Sequence, residues 1–178
     1  MKRFVRGMLV CFLSAAVFGC GGSGGDDDPA PGGDDPGSGA GSFTVQGYAA
    51  QGLTKGWTEA NEGDLDLYLY SVTPDNATAV DFINLTLNTG SLAAGTYTTA
   101  DGSLMAGTVG IDYTASTLAF SFLGDLDTAS EAGASTVTVT GSGSDYTLAY
   151  TLYLNPIDDA ETTITLTGTY SGPLSKLE

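Results

Sequence analysis

The chain contains no histidine. That removes serine-histidine-aspartate and cysteine-histidine mechanisms, together with the commonest protein ligand of transition metals. Basic residues are nearly as scarce: five lysines and arginines stand against 21 aspartates and glutamates, for a formal net charge of −16. A surface of that sign is repelled by phosphate backbones and anionic head groups, which argues against nucleic acid and against peripheral membrane binding. Cysteine is limited to Cys11 and Cys20, and tryptophan to Trp57. A Gly-x-Ser-x-Gly match spans Gly21 to Gly25. It has no strand before it and no helix after it, so it is an accident of composition and not a nucleophile elbow. No phosphate-binding glycine motif sits at a strand-to-helix junction, and the sequence implies no cofactor.

What is present begins with a leader. Lys2, Arg3 and Arg6 precede the apolar run "MLVCFLSAAVF" from Met8 to Phe18. A basic segment followed by a short apolar one is the pattern of a secretory signal. The run is about half the ~20 residues a helix needs to span a bilayer. The following "VFGC" resembles the lipobox of bacterial lipoproteins, with Val17, Gly19 and then the cysteine. The resemblance implies a signal peptide over 1–19 and a lipidated N-terminus at Cys20. Several acyl chains at about 0.8 kcal/mol per methylene give stable anchoring, where one chain does not. With Cys11 removed and Cys20 acylated, no cysteine pair remains, and the exported domain must be held by its own core.

Residues 21–42 comprise nine Gly, five Asp, three Pro, three Ser and two Ala. Nothing there buries apolar area against the entropy of ordering, so 20–42 reads as a lipidated cysteine and a disordered tether. A Gly-rich coil of this length spans about 25 Å, and aspartate repulsion extends it. The run Asp26-Asp27-Asp28 resembles the acidic export signals of Bacteroidetes surface lipoproteins. The implied location is the outer membrane or cell surface, with the membrane engaged through the lipid anchor only. Beyond the tether, two lysines against sixteen acids leave a charge of −14.

Residues 43–178 are long enough for one domain with a real core. They alternate with period two, rich in Thr, Val, Tyr and Leu, with Gly, Asn, Asp and Pro between the runs. Those are strand and turn signals. The pattern predicts strands at 43–49, 64–72, 79–88, 104–113, 117–123, 135–141, 145–154 and 161–170, with 94–100 as a ninth. Leu65, Leu67 and Leu69 share one face. Tyr146, Leu148, Tyr150, Leu152 and Leu154 share another, which Ile164, Leu166 and Tyr170 continue. Thr163, Thr165, Thr167 and Thr169 fall on the opposite, solvated face. Short sequential connections imply an antiparallel meander. The expected fold is therefore all-β, a single domain of eight or nine strands. It either closes into a calycin-like barrel or packs as a β-sandwich, and closure has the advantage of removing unpaired edges. The stretches "STVTVTGSGSDYTLAYTLYL", "TTITLTGTYSGPL" and "LAAGTYTTADG" resemble segments of uncharacterised Bacteroidetes lipoproteins. That resemblance implies a β fold and surface attachment, and no activity.

Two groups of side chains are candidates for chemistry. Asp158, Asp159 and Glu161 cluster in the last hairpin loop, where with Asn155 they form a possible calcium site; the competing reading is a solvated acidic turn. Trp57 lies in "TKGWTEANEGD", read as a loop, just before the strand "DLDLYLY". In that strand Asp66, Tyr68 and Tyr70 point away from the leucines. Exposed Trp57, Tyr68 and Tyr70, with Asp66 as acceptor, would suit stacking on sugars; the competing reading is cross-strand packing. With the usual catalytic partners missing, the sequence points away from an enzyme. It points to a tethered module that binds a glycan-like ligand or adheres, or to a structural accessory that assembles with an envelope protein. Carboxylate-based glycan hydrolysis is a distant alternative.

Overall fold

The computed structural model describes residues 38–73, 77–143 and 145–177. Cys20, the signal peptide and the tether as far as residue 37 lie outside the described residues. The chain is all-β, and no helix occurs among the described residues. Eleven strands follow in order: β1 Ser38–Val45, β2 Gln51–Asn61, β3 Asp64–Tyr70, β4 Val80–Leu87, β5 Gly95–Thr98, β6 Leu104–Tyr113, β7 Phe122–Leu126, β8 Thr136–Ser142, β9 Asp145–Pro156, β10 Ile164–Gly172 and β11 Ser175–Lys176.

Eight of them close a barrel in the order β10-β1-β2-β3-β4-β6-β7-β9, with β9 pairing back onto β10. Closure decides between the two architectures the sequence allows, in favour of the barrel. The inward stripes are those the period-two pattern selects. Leu65, Leu67 and Leu69 from β3, Leu148, Tyr150, Leu152 and Leu154 from β9, and Leu166 and Tyr170 from β10 all lie in one buried core.

The path departs from a simple meander at β5, which leaves the wall so that β4 pairs directly with β6. β5 returns later as the outer partner of β8. β7 and β8 share one edge of β9: β7 pairs with residues 154–156 and β8 with residues 145–151. They amount to one strand interrupted by the loop over 127–135. Ser135 closes that interruption from a fully buried position. Its Oγ accepts from the Tyr153 amide (2.8 Å), and its own amide donates to Thr99 Oγ1 (3.0 Å). A backbone break in a buried wall is tolerated only when its polar groups find such partners.

Three expectations need correction. The segment 51–61, read as a loop around Trp57, is the long strand β2. Leu53 faces the core, whereas Trp57 belongs to a separate cluster outside the barrel and pairs across from Tyr68. The pleat changes phase between them, beside the register shift in the β1–β2 pairing, and this erases the alternation. Residues 38–42, read as tether, are the first half of β1 and pair with β10 and β2. The strand expected at 117–123 begins at Phe122, because residues 114–119 close a turn through the Thr114–Ala119 bridge.

Antiparallel order sorts the connections onto two ends. Ser38, the β2–β3 turn, the β8–β9 turn and β11 occupy the end at which the chain enters the barrel. The β1–β2, β3–β4, β6–β7 and β9–β10 connections occupy the far end.

Candidate functional site

The aromatic surface expected at Trp57, Tyr68 and Tyr70 is packed. Trp57 and Tyr70 are buried, as are Val80 and Phe82 beside them, and Tyr68, Tyr113 and Leu123 pack against this cluster. It runs across the outside of β2, β3, β4 and β6 as a chain of rings. Trp57 meets Tyr70 edge-on at 5.5 Å, Tyr70 stacks on Phe82 at 5.8 Å, and Phe82 meets Tyr113 edge-on at 5.5 Å. Phe82 lies over Gly110, where an added Cβ would meet its ring. Burial raises the pKa of the Tyr70 hydroxyl, while a hydrogen bond from Asn84 acts in the opposite direction. Tyr68 is half-buried and donates to Glu59 Oε2 (3.0 Å). Its phenol is pushed well above the usual tyrosine range by burial, then by that carboxylate. Asp66 accepts from Asn61 Nδ2 and Thr86 Oγ1, each at 2.7 Å, so both carboxylate oxygens are occupied. Cross-strand packing, not sugar stacking, accounts for these four residues.

The calcium reading is also corrected. Asp159 accepts from the Glu161 amide through one oxygen and from the Thr162 hydroxyl through the other, and Asn155 donates to the Thr162 carbonyl. Its carboxylate builds the β9–β10 turn. Asp158, Asp159 and Glu161 are exposed, and among the described residues no group of three acids is placed to share a cation.

A second acidic pair lies at the far end. Asp81 Oδ1 accepts from the Asp112 amide (3.0 Å), which holds Asp112 in the left-handed region at φ 53°. Burial raises the Asp81 pKa, its hydrogen bond to Asp112 opposes this, and the Asp112 charge raises it further. A carboxyl raised on folding adds stability below its unfolded pKa, and that contribution is lost as pH rises through the folded value. Asp81→Asn keeps an acceptor oxygen and removes the charge. The variant is therefore expected to be more stable than the parent at pH 7, with the difference vanishing near pH 3, as read from thermal midpoints across that range.

What the barrel does present is a set of adjacent uncharged rows on one face, bordered by Asp145 at the start of β9. Register across β1, β10, β9, β8 and β5 aligns Thr44, Thr167, Thr151, Thr136 and Thr98 in one row. The adjacent row is Ser42, Thr169, Ala149, Thr138 and Thr96. A third holds Ala40, Ser171, Thr147 and Thr140. Rows are separated by about 7 Å along a strand and neighbours by about 4.8 Å across strands. Some hydroxyls meet laterally, Thr96 with Thr138 at 3.3 Å and Thr147 with Ser171 at 3.2 Å. A shallow, open depression of about 550 Å3 lies over the first two rows, with Ala149 between flanking threonines. None of these fourteen positions is acidic, in a domain of net charge −14. Sequence reading finds the threonine stripe of β10 alone. Juxtaposition of the rows depends on β1 pairing with β10, a closure that joins the two ends of the domain.

No protein-family model, no curated protein and no solved structure matches this chain.

Proposed function

We propose that the protein is a non-enzymatic lipoprotein, anchored at the outer membrane or cell surface through Cys20, whose barrel serves as a binding or adhesion module. The uncharged hydroxyl face is its contact surface, and the ligand is a neutral, glycan-like polyhydroxy compound. One observation carries the reading: three in-register rows of threonine, serine and alanine on the wall of an otherwise strongly acidic domain. A neutral ligand meets no desolvated charge there, and hydroxyls both donate and accept toward its own hydroxyls.

Glycan-array binding by the full-length lipoprotein tests it. Thr138→Glu and Thr151→Glu place a charge in the depression and are expected to abolish the signal. Met105→Glu, at an exposed position outside the rows, is expected to leave it intact. Cys20→Ser is expected to move the protein out of the membrane fraction. Binding that survives both threonine substitutions would remove the proposed face.

A further inference from the structure

Seven large apolar side chains are exposed among the described residues, and five belong to connections at the far end of the barrel: Tyr48, Val72, Leu118, Phe120 and Ile157. The β6–β7 connection is the centre of this group. Tyr48 donates to the Ser121 carbonyl (3.3 Å) and packs its ring 5.2 Å from Phe122. The Ile157 amide donates to the Leu123 carbonyl (2.9 Å). Tyr48, Phe120 and Ile157 are thereby brought around one short segment, with Leu118 at its turn.

Leu118 is the most telling of them. It is 73% exposed, and its backbone sits in the left-handed region at φ 49°. A side chain with a Cβ pays about 1–2 kcal/mol for that conformation, which glycine would adopt freely. Neither the strain nor the exposure of a leucine benefits the fold. Backbone strain concentrates at functional sites, and exposed apolar side chains that are grouped, not scattered, mark contact surfaces.

Acids border the patch. Ser121 Oγ donates to Asp112 Oδ2 (2.8 Å), and Asp112 in turn rests on Asp81. On the other side Asp158 and Asp159 follow Ile157 directly. An apolar centre with a charged rim is the arrangement of a protein–protein interface. The sign of the rim repels anionic lipid, and it repels a second copy of the same tip.

We infer that the far end of the barrel docks a cell-envelope protein that presents an apolar patch ringed by lysine or arginine. The interaction uses a different surface from the hydroxyl face and stands or falls separately from glycan binding.

Photo-crosslinking of the full-length lipoprotein in intact cells tests this. A photoreactive residue is placed at position 118, 120 or 157, with position 138 on the hydroxyl face as control. The three tip positions are expected to give the same protein adduct, absent at 138, with the cross-linked peptide lying in an apolar segment flanked by lysine or arginine. Asp112→Asn suits the left-handed backbone and removes a rim charge; combined with Asp158→Asn, it is expected to cut the yield from position 120 about tenfold. Leu118→Gly relieves strain, so it is expected to fold at least as well as the parent and still lose the adduct read from position 157. Adducts to lipid or to another copy, an adduct shared with position 138, a yield indifferent to the rim substitutions, or no discrete adduct would each overturn the inference.

Discussion

Phe82→Ala is expected to cost about 3–5 kcal/mol, as the loss of a buried aromatic does. Phe82 projects from the outside of the barrel wall, where a sheet residue ordinarily meets water, yet it is 6% exposed. Its ring is the middle link of the outer chain, stacked on Tyr70 and edge-on to Tyr113. It also covers Gly110, which has no side chain of its own to shield the wall. Truncation therefore removes two ring contacts and opens the Gly110 backbone to water. Tyr68→Ala makes the internal comparison. Tyr68 is half-buried at the margin of the cluster, with one hydrogen bond to the half-buried Glu59 carboxylate, and its loss is expected to cost about 1–2 kcal/mol. Urea denaturation followed by the fluorescence of Trp57, the sole tryptophan, reads both. An outer face built as a solvated platform for sugars would instead show costs below ~1 kcal/mol for Phe82.

The contrast between Phe82 and Leu67 shows what a strand pattern can convey. Period two assigns Leu65, Leu67 and Leu69 to one face and Tyr68 and Tyr70 to the other, and both assignments hold. It does not say whether the second face is wet. That depends on β2 and β4 placing Trp57 and Phe82 alongside Tyr70, which is a matter of register between strands. β2 was illegible for a local reason, the change of phase between Leu53 and Trp57. The Asp158-Asp159-Glu161 cluster failed as a metal site because nearness along the chain does not make carboxylates converge; Asp159 is occupied in closing its own turn. The hydroxyl face was half-legible. Its rows are written in β1, β8, β9 and β10 as separate threonine and serine alternations, and the barrel closure assembles them.

Tyr170→Ala is the second large effect expected, about 3–5 kcal/mol. Tyr170 is fully buried, the largest side chain so enclosed among the described residues, and its hydroxyl donates to the Pro173 carbonyl (2.9 Å). Burial raises the pKa of that phenol. The ring occupies the space that side chains at positions 39 and 56 would fill: a Cβ on Gly39 would lie 2.2 Å from the Tyr170 hydroxyl, and one on Gly56 2.9 Å from it. Two glycines on two strands thus make room for one tyrosine on a third. This couples the residues in a way that a cycle of variants can measure. Gly39→Ala alone forces the ring or the β1 backbone to move and is expected to cost about 1–3 kcal/mol. In the Tyr170→Ala background the same methyl enters vacated space and is expected to restore part of the lost stability, giving a coupling of about 1–3 kcal/mol. Tyr170→Phe keeps the ring and leaves the Pro173 carbonyl without its donor, for about 1 kcal/mol. Gly39 lies in the glycine-rich stretch that composition alone assigns to the tether, where a methyl group would be harmless. A neutral Gly39→Ala, with no coupling to position 170, would place the start of the folded domain after residue 42 and detach the first half of β1 from the barrel.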